Sequence, residues 1–328
     1  MKLATFIAGS GSPAVGVVDR EGNSILDLQA AHRAAFGSPS PFLHDMLALI
    51  ESGAEGLARA RDVVSRSAGD AHRSALDKVR LLAPIPVPPQ LRDCNNFEQH
   101  MRGARIGMEK LKARWAGKPE PRAEDVNTTI HPVNYKHIVF YISNRFSVSG
   151  PGDEIEWPPY TEWLDFEGEI AFVLGKKGRD IPREKALEHV FGYTIFNDFS
   201  ARDQQVEEME GRMGPTKGKS FDTGNVLGPW IVTRDEIPDY RAITVTVRIN
   251  GEMRGQGTTA QMIHPYEDII AYISKNETLH PGEVIGTGTL GGCCALETGA
   301  WPRDGDVVEI DADKIGVLRN RVRRTAGK

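Results

Sequence analysis

The way its apolar runs are joined restricts the fold of this chain more than any other feature. From Leu91 onward, short segments of β-forming residues recur at 138–142, 163–174, 192–197, 230–233, 243–250, 283–287, 307–311 and 315–322. Turns and long loops connect most of them, and Asn250-Gly251 is a hairpin signal between two alternating segments. Only 97–115, 201–212 and 266–274 read as helices in this part. A parallel doubly wound sheet requires a helix between successive strands, so the pattern predicts a mostly β, α+β fold instead.

The first 83 residues read as a small α+β unit of their own. Short β segments at 2–7, 15–18 and 25–28 precede helical patterns at 42–50 and 56–64. Pro84-Ile-Pro-Val-Pro-Pro89 cannot continue a helix and breaks regular structure, which predicts a linker between an N-terminal domain (1–83) and the main domain (84–328). The loop at 115–131, rich in Pro, Thr and charge, is a candidate lid.

Charge and cysteine usage narrow the partners. With 40 Lys and Arg against 45 Asp and Glu the net charge is −5, so no basic field invites nucleic acid. No apolar run is long enough for a membrane span, and the N-terminus lacks the apolar core of a signal peptide. Cys293 and Cys294 are adjacent, and no CxxC or Cys/His spacing suggests zinc or a disulfide framework, which fits a reducing cytoplasm.

The segment Leu164-Asp-Phe-Glu-Gly-Glu-Ile-Ala-Phe-Val-Leu174 carries the chemistry. On a strand, Asp165, Glu167, Glu169, Ala171 and Val173 share one face, and Phe166, Ile170, Phe172 and Leu174 the other. A solvated acidic face is the simplest reading. The same face turns apolar at Ala171, however, and two carboxylates beside a buried region are costly without a cation. Asp198 ends another apolar strand just before a helix; Ser200 is better placed to cap that helix, which leaves Asp198 free. Three oxygen ligands suit Mg²⁺, Mn²⁺ or Ca²⁺.

Five motifs then fall in order: Asp93-Cys-Asn-Asn-Phe-Glu-Gln-His100, Glu167-Gly-Glu169, Asn197-Asp-Phe-Ser-Ala-Arg-Asp-Gln-Gln205, Gly218-Lys-Ser220, and Gly305-Asp-Val-Val with Ile315-Gly-Val-Leu-Arg-Asn-Arg321. Together they resemble the fumarylacetoacetate hydrolase family over roughly residues 84–328. The resemblance implies a mixed β-sandwich or β-roll, Mg²⁺ or Mn²⁺ held by Glu167, Glu169 and Asp198 with Asp93 as a further ligand, and a homodimer. It implies that His100 activates water and that Glu297 orients it, since the acidic residue that acylpyruvase-type members carry three positions after the His is Gly103 here. It places Lys219 at the developing oxyanion, and Arg202, Gln205 and Thr289 on the substrate. A Lys that often precedes the family's S-V-x-G-P segment is absent; Ser143 falls near its place.

The expectation is a metal-dependent hydrolase that cleaves a C–C bond in a 1,3-diketo acid such as an acylpyruvate, fumarylpyruvate or fumarylacetoacetate-like substrate of a catabolic pathway. A decarboxylase, isomerase or dehydratase of a 2-oxo acid, and a non-catalytic metal-binding member, are the alternatives. Gly286-Thr-Gly-Thr-Leu-Gly291 matches a dinucleotide fingerprint, but no helix pattern follows to receive a pyrophosphate. Gly214 to Ser220 misses the P-loop spacing by one residue.

Overall fold

The computed structural model describes residues 1–19, 21–67, 69 and 71–324. Two sheets pack face to face. Among the described residues the larger has twelve strands, and from Lys2–Ala8 to one edge it runs Lys2–Ala8, Asn225–Thr233, Val190–Asp198, Gly168–Leu174, Val284–Gly286, Leu91–Cys94 and Phe140–Ile142. The smaller has five, in the order Glu252–Thr258, Thr244–Ile249, Val307–Ala312, Gly316–Arg324, Glu154–Trp157. The Asn250-Gly251 turn joins the first two of these, as its sequence predicts. The chain is thus an α+β protein dominated by strands, without a βαβ rhythm.

Alternation on the Gly168–Leu174 strand explains why all seven of its residues are buried. Ile170, Phe172 and Leu174 pack with Val245, Val247, Ile310 and Leu318 of the smaller sheet. Ala171 and Val173 face the other way, against a cluster that includes Leu28, Leu49 and Ile50 from N-terminal helices. Each large apolar side chain removed from water on these faces contributes about 1.5–3 kcal/mol, which anchors the strand from both sides.

The twelve-stranded sheet runs on through the N-terminal residues. Leu3 pairs antiparallel with Ile231, and the Thr5 hydroxyl donates to the Pro84 carbonyl at 2.7 Å. A helix at Leu28–Phe36, capped by the Asp27 side chain, escaped the sequence reading because its first residue closes an apolar β run.

Two local expectations need correction. The strand expected at 163–174 is interrupted: Leu164–Asp165 pairs with Ser200–Ala201, Gly168–Leu174 lies in the main sheet, and Glu167 makes a single bridge to Cys294. Ser200 does not cap the following helix. It sits in a short strand with its hydroxyl donating to the Asp198 carbonyl, and the Arg202–Glu210 helix has no side-chain cap. Among the described residues no helix is long and apolar enough to cross a membrane.

Candidate active site

Three strands of the main sheet bring three carboxylates together. Asp93 lies on Leu91–Cys94, Glu169 on Gly168–Leu174, and Asp198 at the end of Val190–Asp198. Register fixes their levels: Gly168 pairs with Asn197, Ala171 with Gly286, and Gly286 in turn with Asp93. Each of the three offers an oxygen within 4.8 Å of the others, and all three residues are buried.

The electrostatics of this cluster call for a cation. Burial and the neighbouring Asp198 push the Asp93 carboxyl up to about 7, and burial and Asp93 push Glu169 well above the usual carboxylate range. Asp93 Oδ1 and Asp198 Oδ1 have no hydrogen-bond partner. Buried orphan oxygens on like-charged groups cost several kcal/mol unless something positive satisfies them, and an all-oxygen set suits a hard divalent cation. The residues therefore fit the metal that the sequence motifs imply.

Glu167 stands beside this cluster and faces cations of the chain itself. Lys219 Nζ donates to Glu167 Oε2, and to Asp198 Oδ2 at 2.6 Å. Arg202 donates from Nη2 to Glu167 at 2.6 Å, from Nε to Asp165 at 2.8 Å and from Nη1 to Gln205 at 2.8 Å. Burial alone would raise Glu167, but Arg202, Lys219 and His100 outweigh it and hold the carboxylate ionised. Burial likewise disfavours the Lys219 ammonium, and Asp198 and Glu167 reverse that by raising its pKa.

His100 enters from the long Glu98–Trp115 helix. Its Nδ1 is 2.9 Å from Glu297 Oε2, and its Nε2 is 3.9 Å from Glu167 Oε1. Glu297 lies on the short helix Ala295–Thr298, whose first turn is held by Asp165: one oxygen accepts from the Ala295 amide at 2.6 Å, the other from Leu296 at 3.2 Å. The Gly292 amide donates to the second Glu297 oxygen at 2.9 Å. With Glu297 as acceptor, the ring proton is assigned to Nδ1, which leaves the Nε2 lone pair on the other side of the ring.

A cavity of about 630 Å³ reaches part of this site. Asp93, His100, Glu167, Arg202, Gln205, Lys219 and Thr289 line it, and Thr128 to His131 form part of its wall. Thr289 donates to Glu169 Oε1 at 3.2 Å, and Gly288 N donates to Glu169 Oε2 at 3.2 Å. Arg202 and Gln205 stand in the wall, bonded to each other. Ser143 instead donates to Asn225 in the interior.

Several residues of the site escaped the sequence reading. Gly286 and Gly288 make room beside its carboxylates: a Cβ on Gly286 would lie 2.6 Å from Asp93 Oδ1, and Gly288, with φ +92°, donates its amide to Glu169. The signal was present but resembled a nucleotide fingerprint. Tyr141 donates to Asp198 Oδ2 from a strand with no acidic neighbour to mark it. Asp165 was placed on the acidic face but not recognised as the anchor of Arg202 and of the Glu297 turn.

A buried carboxylate cluster next to a His–Glu pair defines a candidate cation-binding active site. The chain belongs to the fumarylacetoacetate hydrolase family: the family model described as fumarylacetoacetate (FAA) hydrolase C-terminal matches residues 93–323. It is 33% identical over 326 residues to the mitochondrial oxaloacetate tautomerase fahd2 of Xenopus laevis, covering 98% of this chain and 90% of that protein. A fumarylacetoacetate hydrolase from Exiguobacterium antarcticum is similar in structure, with a TM-score of 0.73, 30% identity, and coverage of 99% and 100% of the two chains. The maleylpyruvate hydrolase of Sphingobium sp. SYK-6, solved with manganese(II) and pyruvate, superposes with a TM-score of 0.70 at 25% identity over 99% of this chain and 100% of that one.

Proposed function

We propose that this protein interconverts the keto and enol forms of a 2-oxo dicarboxylic acid, with oxaloacetate as the type substrate. One observation carries the reading. His100 is held by Glu297 at Nδ1 and presents Nε2 beside Glu167 in the cavity, as a base for a carbon-bound proton requires. The similarity to a tautomerase along almost the whole chain supports the same reaction class.

Asp93, Glu169 and Asp198, with Glu167 adjoining, are the residues that would hold a divalent cation, and when bound it would supply Lewis-acid polarisation of the 2-oxo carbonyl. His100 Nε2 takes a proton from the carbon next to that carbonyl. The C–H electron pair becomes the new C=C bond, and the carbonyl π pair moves to oxygen. The imidazolium, stabilised by Glu297, returns the proton to that oxygen, so the enzyme ends as it began. Lys219 supplies positive charge next to the carboxylates throughout.

A second reading shares the base. If His100 draws its proton from water, the same dyad supports hydrolysis of a 1,3-diketo acid, and a Glu that stabilises imidazolium serves that step equally. The two are separated by following the enol absorbance of oxaloacetate and, in parallel, the NMR spectra of acylpyruvate and fumarylpyruvate incubations. Faster enol–keto conversion that is lost in His100→Ala, with no C–C cleavage, supports tautomerisation. Cleavage products from a diketo acid at a comparable rate replace it with the hydrolase reading.

A further inference from the structure

We propose that His100 Nδ1, Cys294 Sγ and Glu297 Oε2 form a second metal site, for a thiophilic ion such as Zn²⁺ or Cd²⁺, and that its occupation switches the enzyme off. No sequence spacing reveals this site, because its ligands are 197 positions apart at their widest, from His100 to Glu297. The fold assembles it by packing the Ala295–Thr298 helix against the long helix that carries His100.

The geometry is close to a metal-binding triangle. The three atoms are separated by 2.9 Å (N to O), 3.2 Å (S to O) and 3.8 Å (N to S). Zinc bond lengths to nitrogen, oxygen and sulfur place pairs of tetrahedral ligands about 3.3–3.6 Å apart. An ion would therefore need shifts of only a few tenths of an ångström. The site is also preorganised: Asp165 fixes the Ala295 and Leu296 amides, and Gly292 fixes the other Glu297 oxygen.

Ligand chemistry separates this site from the carboxylate cluster. Asp93, Glu169 and Asp198 offer only hard oxygen, whereas thiolate, imidazole and carboxylate together favour zinc or cadmium over magnesium. Cys294 otherwise has no part in the proposed reaction. Its thiol donates to the Glu297 oxygen that also faces His100.

Occupation would disable the base by changing its tautomer. The Cys294 thiol gives up its proton to solvent as the metal–sulfur bond forms. The His100 ring proton moves from Nδ1 to Nε2 as Nδ1 coordinates. One proton is released overall, and the Nε2 lone pair that faces the substrate is gone. Glu297 is at the same time withdrawn from its role as partner to the imidazolium. The site is the same whichever substrate is turned over.

The test uses the full-length enzyme saturated with Mg²⁺. Cd²⁺ is titrated while the ultraviolet thiolate-to-cadmium charge-transfer band is followed, and Zn²⁺ is titrated against activity. Wild type and Cys94→Ser, which removes the thiol that lines the cavity, should both develop the band at one equivalent and lose activity in parallel. Cys294→Ser should lack the band and need more than about 100-fold more Zn²⁺ for inhibition, beyond what loss of an outer-shell partner costs. Zinc-edge X-ray absorption on wild type at one equivalent should show one sulfur ligand, which keeps the proposal testable should the variant fold poorly. A band that survives in Cys294→Ser, a zinc shell without sulfur, or inhibition that excess Mg²⁺ reverses would each overturn it.

Discussion

Gly103 faces Glu297 so closely that a Cβ at position 103 would lie 2.9 Å from both Cγ and Oε1 of the glutamate. One turn further along the same helix, a Cβ on Gly107 would meet the Leu296 carbonyl oxygen at 1.9 Å. The two glycines make a groove in the long helix into which the Glu297 turn settles. In an exposed helix Ala would be favoured over Gly by about 0.5–1 kcal/mol. Gly103→Ala should therefore do the opposite of what helix propensity suggests: it should displace Glu297 and lower kcat, while divalent-cation affinity measured by calorimetry stays within error. An unchanged kcat would remove Glu297 from the dyad.

Loss of the base itself should be more severe. His100→Ala should lower the catalysed rate by about 10²–10⁴-fold, the usual worth of a positioned acid–base group, with cation binding largely spared. Glu297→Gln keeps the shape but not the charge, so its effect should be in the same direction and smaller. Steady-state kinetics beside a metal titration of each variant checks both.

Asp165 is fully buried and joins Arg202 to the Glu297 turn. Asp165→Ala leaves the Arg202 guanidinium, two backbone amides and Glu167 to rearrange. Breaking a buried pair in this way typically costs about 3–5 kcal/mol. Urea denaturation should show a loss of that order at pH 7, and a loss below about 1 kcal/mol, as expected for an exposed pair, would count against the anchoring role.

Protons and metal should compete for the carboxylate cluster. Asp93 titrates near 3.8 when unfolded and at about 7 in the fold, raised by burial and by Asp198. The folded protein therefore binds more protons than the unfolded chain between those values, so this group's contribution falls as pH rises through the window. Chelator-treated protein should lose thermal stability from pH 5 to pH 8, and Mn²⁺ should restore it. The gain in Tm on adding Mn²⁺ should be larger at pH 8 than at pH 5. Equal gains at both would mean that the cluster is not where the ion binds.

Much of this molecule is legible in its sequence, and the limits have physical causes. Strict alternation put Ile170, Phe172 and Leu174 on one face and Ala171 and Val173 on the other, and the two cores confirm that division. Asp198 stood out because an acid ended an apolar strand. The break between Asp165 and Gly168 was invisible, because it is imposed by a partner: the Gly168 amide donates to the Cys293 carbonyl, far along the chain. Gly286 and Gly103 were equally opaque. A glycine that makes room for a distant carboxylate looks the same in sequence as one that makes a turn. Asp93, Glu169 and Asp198 converge in space, whereas Glu167 is turned toward Lys219 and Arg202, a difference that strand alternation alone does not encode.

The three converging acids come from strands that lie close together in one sheet but far apart along the chain. Leu91–Cys94 carries Phe140–Ile142 on its outer side and is linked to the rest of the sheet by Val284–Gly286, near the other end of the chain, which in turn lies against Gly168–Leu174. An ion with affinity for all three acids consequently has nothing to grip until the last of these pairings has formed. In a metal finger the ion starts the folding; here it could only endorse a fold already complete. Long-range strand pairing is slow, so uptake of the cation by a refolding chain would act as a clock for the closing step.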